Sequence, residues 1–210
     1  DEMLLAALGR TIAHQVGEGT VAVDLSGQGR SVLKPDVDLR RTVGWFNTVY
    51  PIALTCAKDD GAKQLLDDVH NTLNAVPHHG IGYGLLRYLY APTARQLGAA
   101  GTADIFFSYI GTIPDLPPLR EDVAVRFDSD TALPVRETIS GLGHAIELRV
   151  FRTAGVLHLD WWYDSRRVDG ATAQSLAGGF SQTLLELIRE ALAQDEMDSG
   201  SDEMELVDLS

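Results

Sequence analysis

Apolar residues follow one period before Gly101 and another after it, and that switch sets the fold class. Before it, Leu4, Leu5, Leu8, Ile12 and Val16 recur at the 3.6-residue spacing of an amphipathic helix, as do Leu65, Leu66, Val69, Leu73 and Val76. After it, segments 104–110, 123–127, 144–152 and 156–163 carry the alternation and the β-branched or aromatic content of strands. The last two are separated by Thr153–Gly155, a hairpin-sized turn. A closing helix is predicted over 172–193, through Leu176, Phe180, Leu184, Leu187 and Ile188. Helices at 3–16, 62–76 and 172–193, with strands in no steady βαβ order, predict an α/β fold in which helices cover a mixed sheet.

The first half adds shorter pieces. Gly17 and Gly19 end the opening helix, and Thr20–Leu25 alternates as a strand. Gly27–Arg30 is expected to be a tight loop, because glycine tolerates positive φ. Residues 43–55, broken by Pro51, predict a loop feeding a strand over Ile52–Thr55. Pro77 with Gly80, Gly82 and Gly84 predicts a turn before a short helix through Leu85, Leu86 and Leu89, and Pro92 starts another.

Composition narrows the function classes. Of 210 residues, 45% are hydrophobic and 22% charged, which suits a soluble globular chain with one core or two small ones. No run of eighteen apolar residues exists, so no membrane span is predicted. Cys56 is the only cysteine, so no internal disulfide forms and a reducing cytoplasm is expected. A net charge of −13 argues against nucleic-acid binding. Seven of the acids (Asp195, Glu196, Asp198, Asp202, Glu203, Glu205, Asp208) lie in a base-free tail, and without them the charge is −6. Residues 1–194 are therefore expected to hold the folded part, and 195–210 an acidic flexible tail or linker.

Generic catalytic patterns are absent. There is no phosphate loop, no dinucleotide fingerprint and no nucleophile elbow. The histidines are scattered, and the adjacent pair His78–His79 cannot aim both rings at one metal, so no metal site is predicted.

Four segments are more telling. Residues 24–30 read Asp-Leu-Ser-Gly-Gln-Gly-Arg, and 41–51 read Arg-Thr-Val-Gly-Trp-Phe-Asn-Thr-Val-Tyr-Pro. Residues 77–84 read Pro-His-His-Gly-Ile-Gly-Tyr-Gly, and 106–111 read Phe-Phe-Ser-Tyr-Ile-Gly. In order and spacing they resemble the later core motifs of epimerisation and condensation domains of nonribosomal peptide synthetases. The family pattern is Glu-Gly-His-Gly-Arg, Arg-Thr-Val-Gly-Trp-Phe-Thr, Pro-x-x-Gly-x-Gly-Tyr-Gly and Phe-Asn-Tyr-Leu-Gly. The resemblance covers about residues 3 to 193.

That resemblance implies the C-terminal one of two chloramphenicol-acetyltransferase-like lobes, with an active-site tunnel between them. It also implies an N-terminal lobe of the same domain as partner, carrying a His-His-x-x-x-Asp-Gly signature that this chain lacks. His78-His79 does not supply it, since Tyr83 stands where the aspartate belongs. The substrate would arrive on the phosphopantetheine of a peptidyl carrier domain, with no cofactor bound directly.

The departures fall at chemical positions. Ser26 replaces the family's glutamate, Gln28 its histidine and Ser108 its asparagine. Proton abstraction beside a thioester needs a base and an acid, and neither serine nor glutamine titrates usefully near neutrality. Arg30, Gly44, Trp45, Phe46, Tyr50, Gly82, Tyr83, Gly84 and Tyr109 keep the family pattern and are expected to build the lobe junction, with Gly44, Gly82 and Gly84 permitting tight backbone. An intact scaffold with degraded chemistry is similar to the X-domain of glycopeptide-antibiotic synthetases. The resemblance thus implies a noncatalytic platform that recruits cytochrome P-450-class oxygenases; the alternative is half of an active condensation or epimerisation domain.

Overall fold

The computed structural model describes residues 1–30, 38–39, 41–44, 46–113 and 143–205, the last eleven along the backbone only. The elements run α1 (Glu2–Gln15), β1 (Gly19–Gln28), β2 (Asn47–Cys56), α2 (Ala62–Asn74), a 3-10 turn (Pro77–Gly80), α3 (Ile81–Gly84), a π turn (Leu85–Leu89), α4 (Ala91–Ala99), β3 (Ile105–Thr112), β4 (Ile146–Thr153), β5 (Val156–Tyr163) and α5 (Gly170–Glu205). The strands form one mixed sheet in the order β2-β1-β3-β4-β5. The β1–β2 and β4–β5 pairs are antiparallel, while β3 runs parallel to β1 and to β4. The expected strand 123–127 lies outside the described residues.

Strand alternation sorts the sheet into two faces. Val23, Leu25, Ile52, Leu54, Ile105, Phe107, Leu148 and Val150 form a core with Leu4, Leu5 and Leu8 of α1, Leu65 and Val69 of α2, and Phe180, Leu184 and Leu187 of α5. Asp24, Ser26, Phe106, Ser108, Glu147, Arg149 and Trp162 alternate with these and belong to the other face.

Several expectations need correction. Leu4–Ala13 of α1 is buried on every side, so the helix is internal rather than amphipathic. A side chain at Gly9 would overlap the Thr55 carbonyl, which explains how α1 sits so close to β2. The buried Arg10 is compensated by Glu190 of α5, 2.8 Å away, and by the Asp60 carbonyl. Gly27 and Gln28 belong to β1 and not to a loop. Glycine is needed at 27 for proximity, since a Cβ would stand 2.7 Å from Thr48 Oγ1 and 2.9 Å from the Tyr50 ring. The β2 strand begins at Asn47 and contains Pro51, which is tolerated because β2 forms an edge of the described sheet.

The last helix also departs from expectation. It starts at Gly170, where the Asp169 carboxylate accepts the Thr172 N–H at 3.0 Å as an N-cap. Its backbone continues to Glu205, twelve residues past the expected end at 193. The β4–β5 hairpin does turn over Ala154 (φ 47°) and Gly155 (φ 80°), the left-handed pair that a tight hairpin requires.

Candidate functional site

Of the three positions expected to carry chemistry, Ser26 and Gln28 border one cavity and Ser108 borders neither, while expected scaffold residues are found at both. Ser26, Gln28, Tyr50 and Tyr109 line a cavity of 290 Å³ together with His79. Ser26 Oγ accepts a hydrogen bond from Asn47 Nδ2 at 3.3 Å, so its partner is a neutral amide. Burial pushes the Tyr50 phenol above its ordinary pKa and keeps it un-ionised. Ser108 is buried in β3 and lines neither cavity among the described residues.

Tyr83 and Gly84 line a second cavity, of 440 Å³, with Asp24, Thr48, Arg87 and His144. Tyr83 Oη accepts from Arg87 Nη1 at 2.8 Å, and that contact holds the guanidinium pKa above its usual range. The same nitrogen donates to the Leu97 and Gly101 carbonyls, so Arg87 ties the π turn to the end of α4.

The remaining scaffold residues act locally. Arg30 donates to the carbonyls of Leu39, Thr42 and Gly44 and stacks 4.4 Å over the Phe46 ring, bracing the segment after β1. A Cβ at Gly44 would come within 2.8 Å of that ring. Trp45 lies outside the described residues. Gly82 and Gly84 do not carry the steric requirement expected of them, because a Cβ at either meets nothing among the described residues within 4 Å. Gly80 carries it instead, with φ +77° and the Tyr50 ring where a Cβ would lie. His78 and His79 precede it with φ of 49° and 50°, so three successive residues are left-handed. They are turn residues, as the motif spacing implied.

Sequence reasoning missed one pair. His144 Nε2 lies 2.8 Å from Asp24 Oδ2, with side chains only 1% and 9% exposed. Asp24 Oδ2 also accepts the Ala103 N–H at 3.3 Å. The imidazole lies 5.2 Å from the Phe106 ring, and its Nδ1 stands 4.0 Å from Glu147 Oε1. Register explains the arrangement, since Phe106 of β3 is flanked by Asp24 of β1 and Glu147 of β4. His144 therefore spans from one carboxylate towards another across an aromatic floor. Asp24 is one strand repeat before Ser26, but the strand was expected to end at Leu25, so their shared face was not read from the sequence. His144 is 120 residues away from it, and nothing local signals the contact.

Among the described residues no His, Cys, Asp or Glu cluster could hold a metal ion, and no helix is long and apolar enough to cross a membrane. Cys56 is buried, and burial pushes its thiol pKa up, away from nucleophilic use.

Comparison with known proteins gives the same architecture. The epimerization domain from the third module of tyrocidine synthetase B superposes with a TM-score of 0.72 at 23% identity, over 92% of this chain and 43% of that one. The first condensation domain of the CDA synthetase gives 0.57 at 17% identity, over 89% and 38%. In sequence, a component of the phenolphthiocerol/phthiocerol polyketide synthase of Mycobacterium tuberculosis is 61% identical over 215 residues. A component of the linear gramicidin synthase of Brevibacillus parabrevis is 32% identical over 196. Those matches take in 99% and 90% of this chain but only 14% and 2% of the two relatives. The family model described as Condensation domain matches residues 1–205, and the chain belongs to the condensation-domain family.

Proposed function

We propose that this chain is the second lobe of a condensation-superfamily domain in a modular synthase, and that it serves as a docking platform rather than an epimerase. The carrying observation is the cavity around Ser26, where the aligned acid and histidine are a serine bonded to Asn47 and an exposed Gln28. Neither offers a proton donor or acceptor of useful strength for α-carbon chemistry. A platform needs shape and surface, and both persist: Leu85, Leu86, Tyr88, Leu89 and Tyr90 are exposed in one six-residue stretch. The proposed partners are the other lobe, a carrier domain bearing the chain on phosphopantetheine, and a cytochrome P-450-class oxygenase acting on that chain. Binding tests the recruitment part. The two-lobe domain should retain a cognate oxygenase at micromolar concentration, where modest specific interfaces are already populated. No association at that concentration removes the oxygenase from the proposal.

A second reading is favoured by the identity to a polyketide synthase component. In it the lobe completes an active condensation domain that acts on a carrier-bound acyl thioester. Its imidazole base would come from the other lobe, and the Ser26 cavity would only shape the chain. Acyl transfer between donor and acceptor carriers, measured separately from epimerisation, distinguishes it.

A further inference from the structure

The stretch made of α3, the π turn and α4 stands apart from the packing of the rest of the chain. No residue from 81 to 102 is buried, although Gly80 before it and Ala103 after it are. Its hydrogen bonds close on itself. Arg87 donates to Tyr83 Oη and to the Leu97 and Gly101 carbonyls, and Thr93 Oγ1 to the Leu86 and Tyr90 carbonyls. The Tyr90 N–H donates to the Leu85 carbonyl and the Ala94 N–H to that of Tyr90. Among the described residues, no hydrogen bond or ion pair ties residues 81–100 to any other strand or helix of the sheet and its cover. What attaches the stretch is the contact of α3 with β2. There Ile81, Tyr83 and Leu85 line one side of the 440 Å³ cavity, and Asn47 and Val49 of β2 line another.

The two ends are suited to turning. Gly80 has φ +77° and Gly101 φ +74°, in the left-handed region that glycine enters freely. A Cβ at Gly101 would meet nothing within 4 Å among the described residues, so that end has room to rotate. At the other end His78 and His79 are left-handed as well, with φ of 49° and 50°, a conformation that costs an L-residue energy. The position of the stretch in this structure therefore holds strain at its root, as switch segments do. Internal bracing, weak attachment and a few terminal residues able to absorb the torsion are the elements of a hinged motion.

We propose that residues 81–100 form an arm that swings as one body about Gly80 and Gly101 and so opens and closes the 440 Å³ cavity. Swinging out parts Ile81, Tyr83 and Leu85 from β2 and lets the two histidines relax. A chain or partner that fits only the open cavity then holds the arm out, because it binds one of the two positions and not the other. The inference goes beyond the docking role and does not need the oxygenase.

The test uses the full-length polypeptide with spin labels on a keto amino acid, which leaves every cysteine in place. One pair, at Lys63 of α2 and Gln96 of α4, reports arm against body; a second, at Lys63 and Gln174 of α5, reports the body alone. All three positions are exposed. Pulsed electron resonance should give one narrow distance for the body pair and two for the arm pair. His78→Gly removes strain from the closed position and should raise the closed-to-open ratio about tenfold, the scale of one left-handed residue. Gly101→Ala adds strain to that position and should lower the ratio about tenfold. Amide exchange over 85–97 should stay as slow in Gly101→Ala as in the wild type, since the arm moves without melting. A single arm distance as narrow as the body pair overturns the proposal. So do shifts of both variants in one direction, no shift in either, or exchange over 85–97 that rises with the second distance. If a variant does not fold, the wild type decides. Two distances with slow exchange over 85–97 support the hinge, and any other combination refutes it.

Discussion

Replacing Gly80 with alanine should damage this fold more than the same change at Gly82 or Gly84, although all three belong to one motif. Gly80 has φ +77°, and an added Cβ would fall inside the Tyr50 ring. The left-handed backbone alone costs an L-residue about 1–2 kcal/mol. Forcing the ring aside adds about 1–3 kcal/mol, because Tyr50 packs against the core and has little room to yield. A loss of about 3 kcal/mol corresponds to a Tm drop of about 6–12 °C in a chain of this size. At Gly82 and Gly84 the φ values are ordinary and the Cβ positions are open among the described residues. Alanine there should be neutral or stabilise the helical segment by about 0.5–1 kcal/mol. Urea unfolding followed by fluorescence of Trp161 and Trp162 measures all three variants in one format. A Gly80→Ala protein within about 0.5 kcal/mol of wild type would refute the steric argument. So would a Gly82→Ala protein as unstable as Gly80→Ala.

Three further outcomes are expected. Glu190 has its pKa lowered mainly by the Arg10 hydrogen bond, so that contribution is present above the carboxylate's unfolded pKa and is lost as pH falls through the folded one; Arg10→Met should flatten the acid limb of a stability–pH curve, and an unchanged limb would remove the pair from the account. Amide exchange should turn fast beyond residue 193 even though the helical backbone continues to Glu205, since an acidic base-free segment at a helix end frays readily; strong protection to 205 would show that the segment docks. The isolated chain should self-associate through the exposed Leu85–Tyr90 stretch, and a monodisperse monomer in sedimentation velocity would contradict that.

How much of this could be read from the sequence depended on how local the cause was. The β4–β5 hairpin was legible because a two-residue turn with glycine and two alternating flanks is a local signal. Only the second half of β2, Ile52–Thr55, was legible, because Pro51 reads as a breaker until the sheet order makes β2 an edge. The opening helix was found, but the burial of Leu4–Ala13 depends on Gly9 and on an Arg10–Glu190 contact that closes over 180 residues. The motifs located Ser26, Gln28, Tyr50 and Tyr109, and all four border one cavity, although strand alternation turns Ser26 and Gln28 to the face opposite Tyr50 and Tyr109. They misplaced the essential glycine, because spacing alone does not tell a left-handed residue from a helical one. Asp24–His144 was out of reach for the same reason as Arg10–Glu190, since 120 residues separate its two halves and no local pattern marks the contact.

Hydrogen exchange with solvent tests the proposed loss of α-carbon proton chemistry at Ser26. The two-lobe domain would be supplied with an aminoacyl or acyl thioester on its carrier in deuterium oxide, and label at the α-carbon followed by mass spectrometry. Incorporation should be no faster than with the carrier alone, with no gain from Ser26→Glu by itself, because Gln28 and Ser108 also depart from the family pattern. Incorporation well above background, abolished by replacing the histidine of the other lobe, would contradict it.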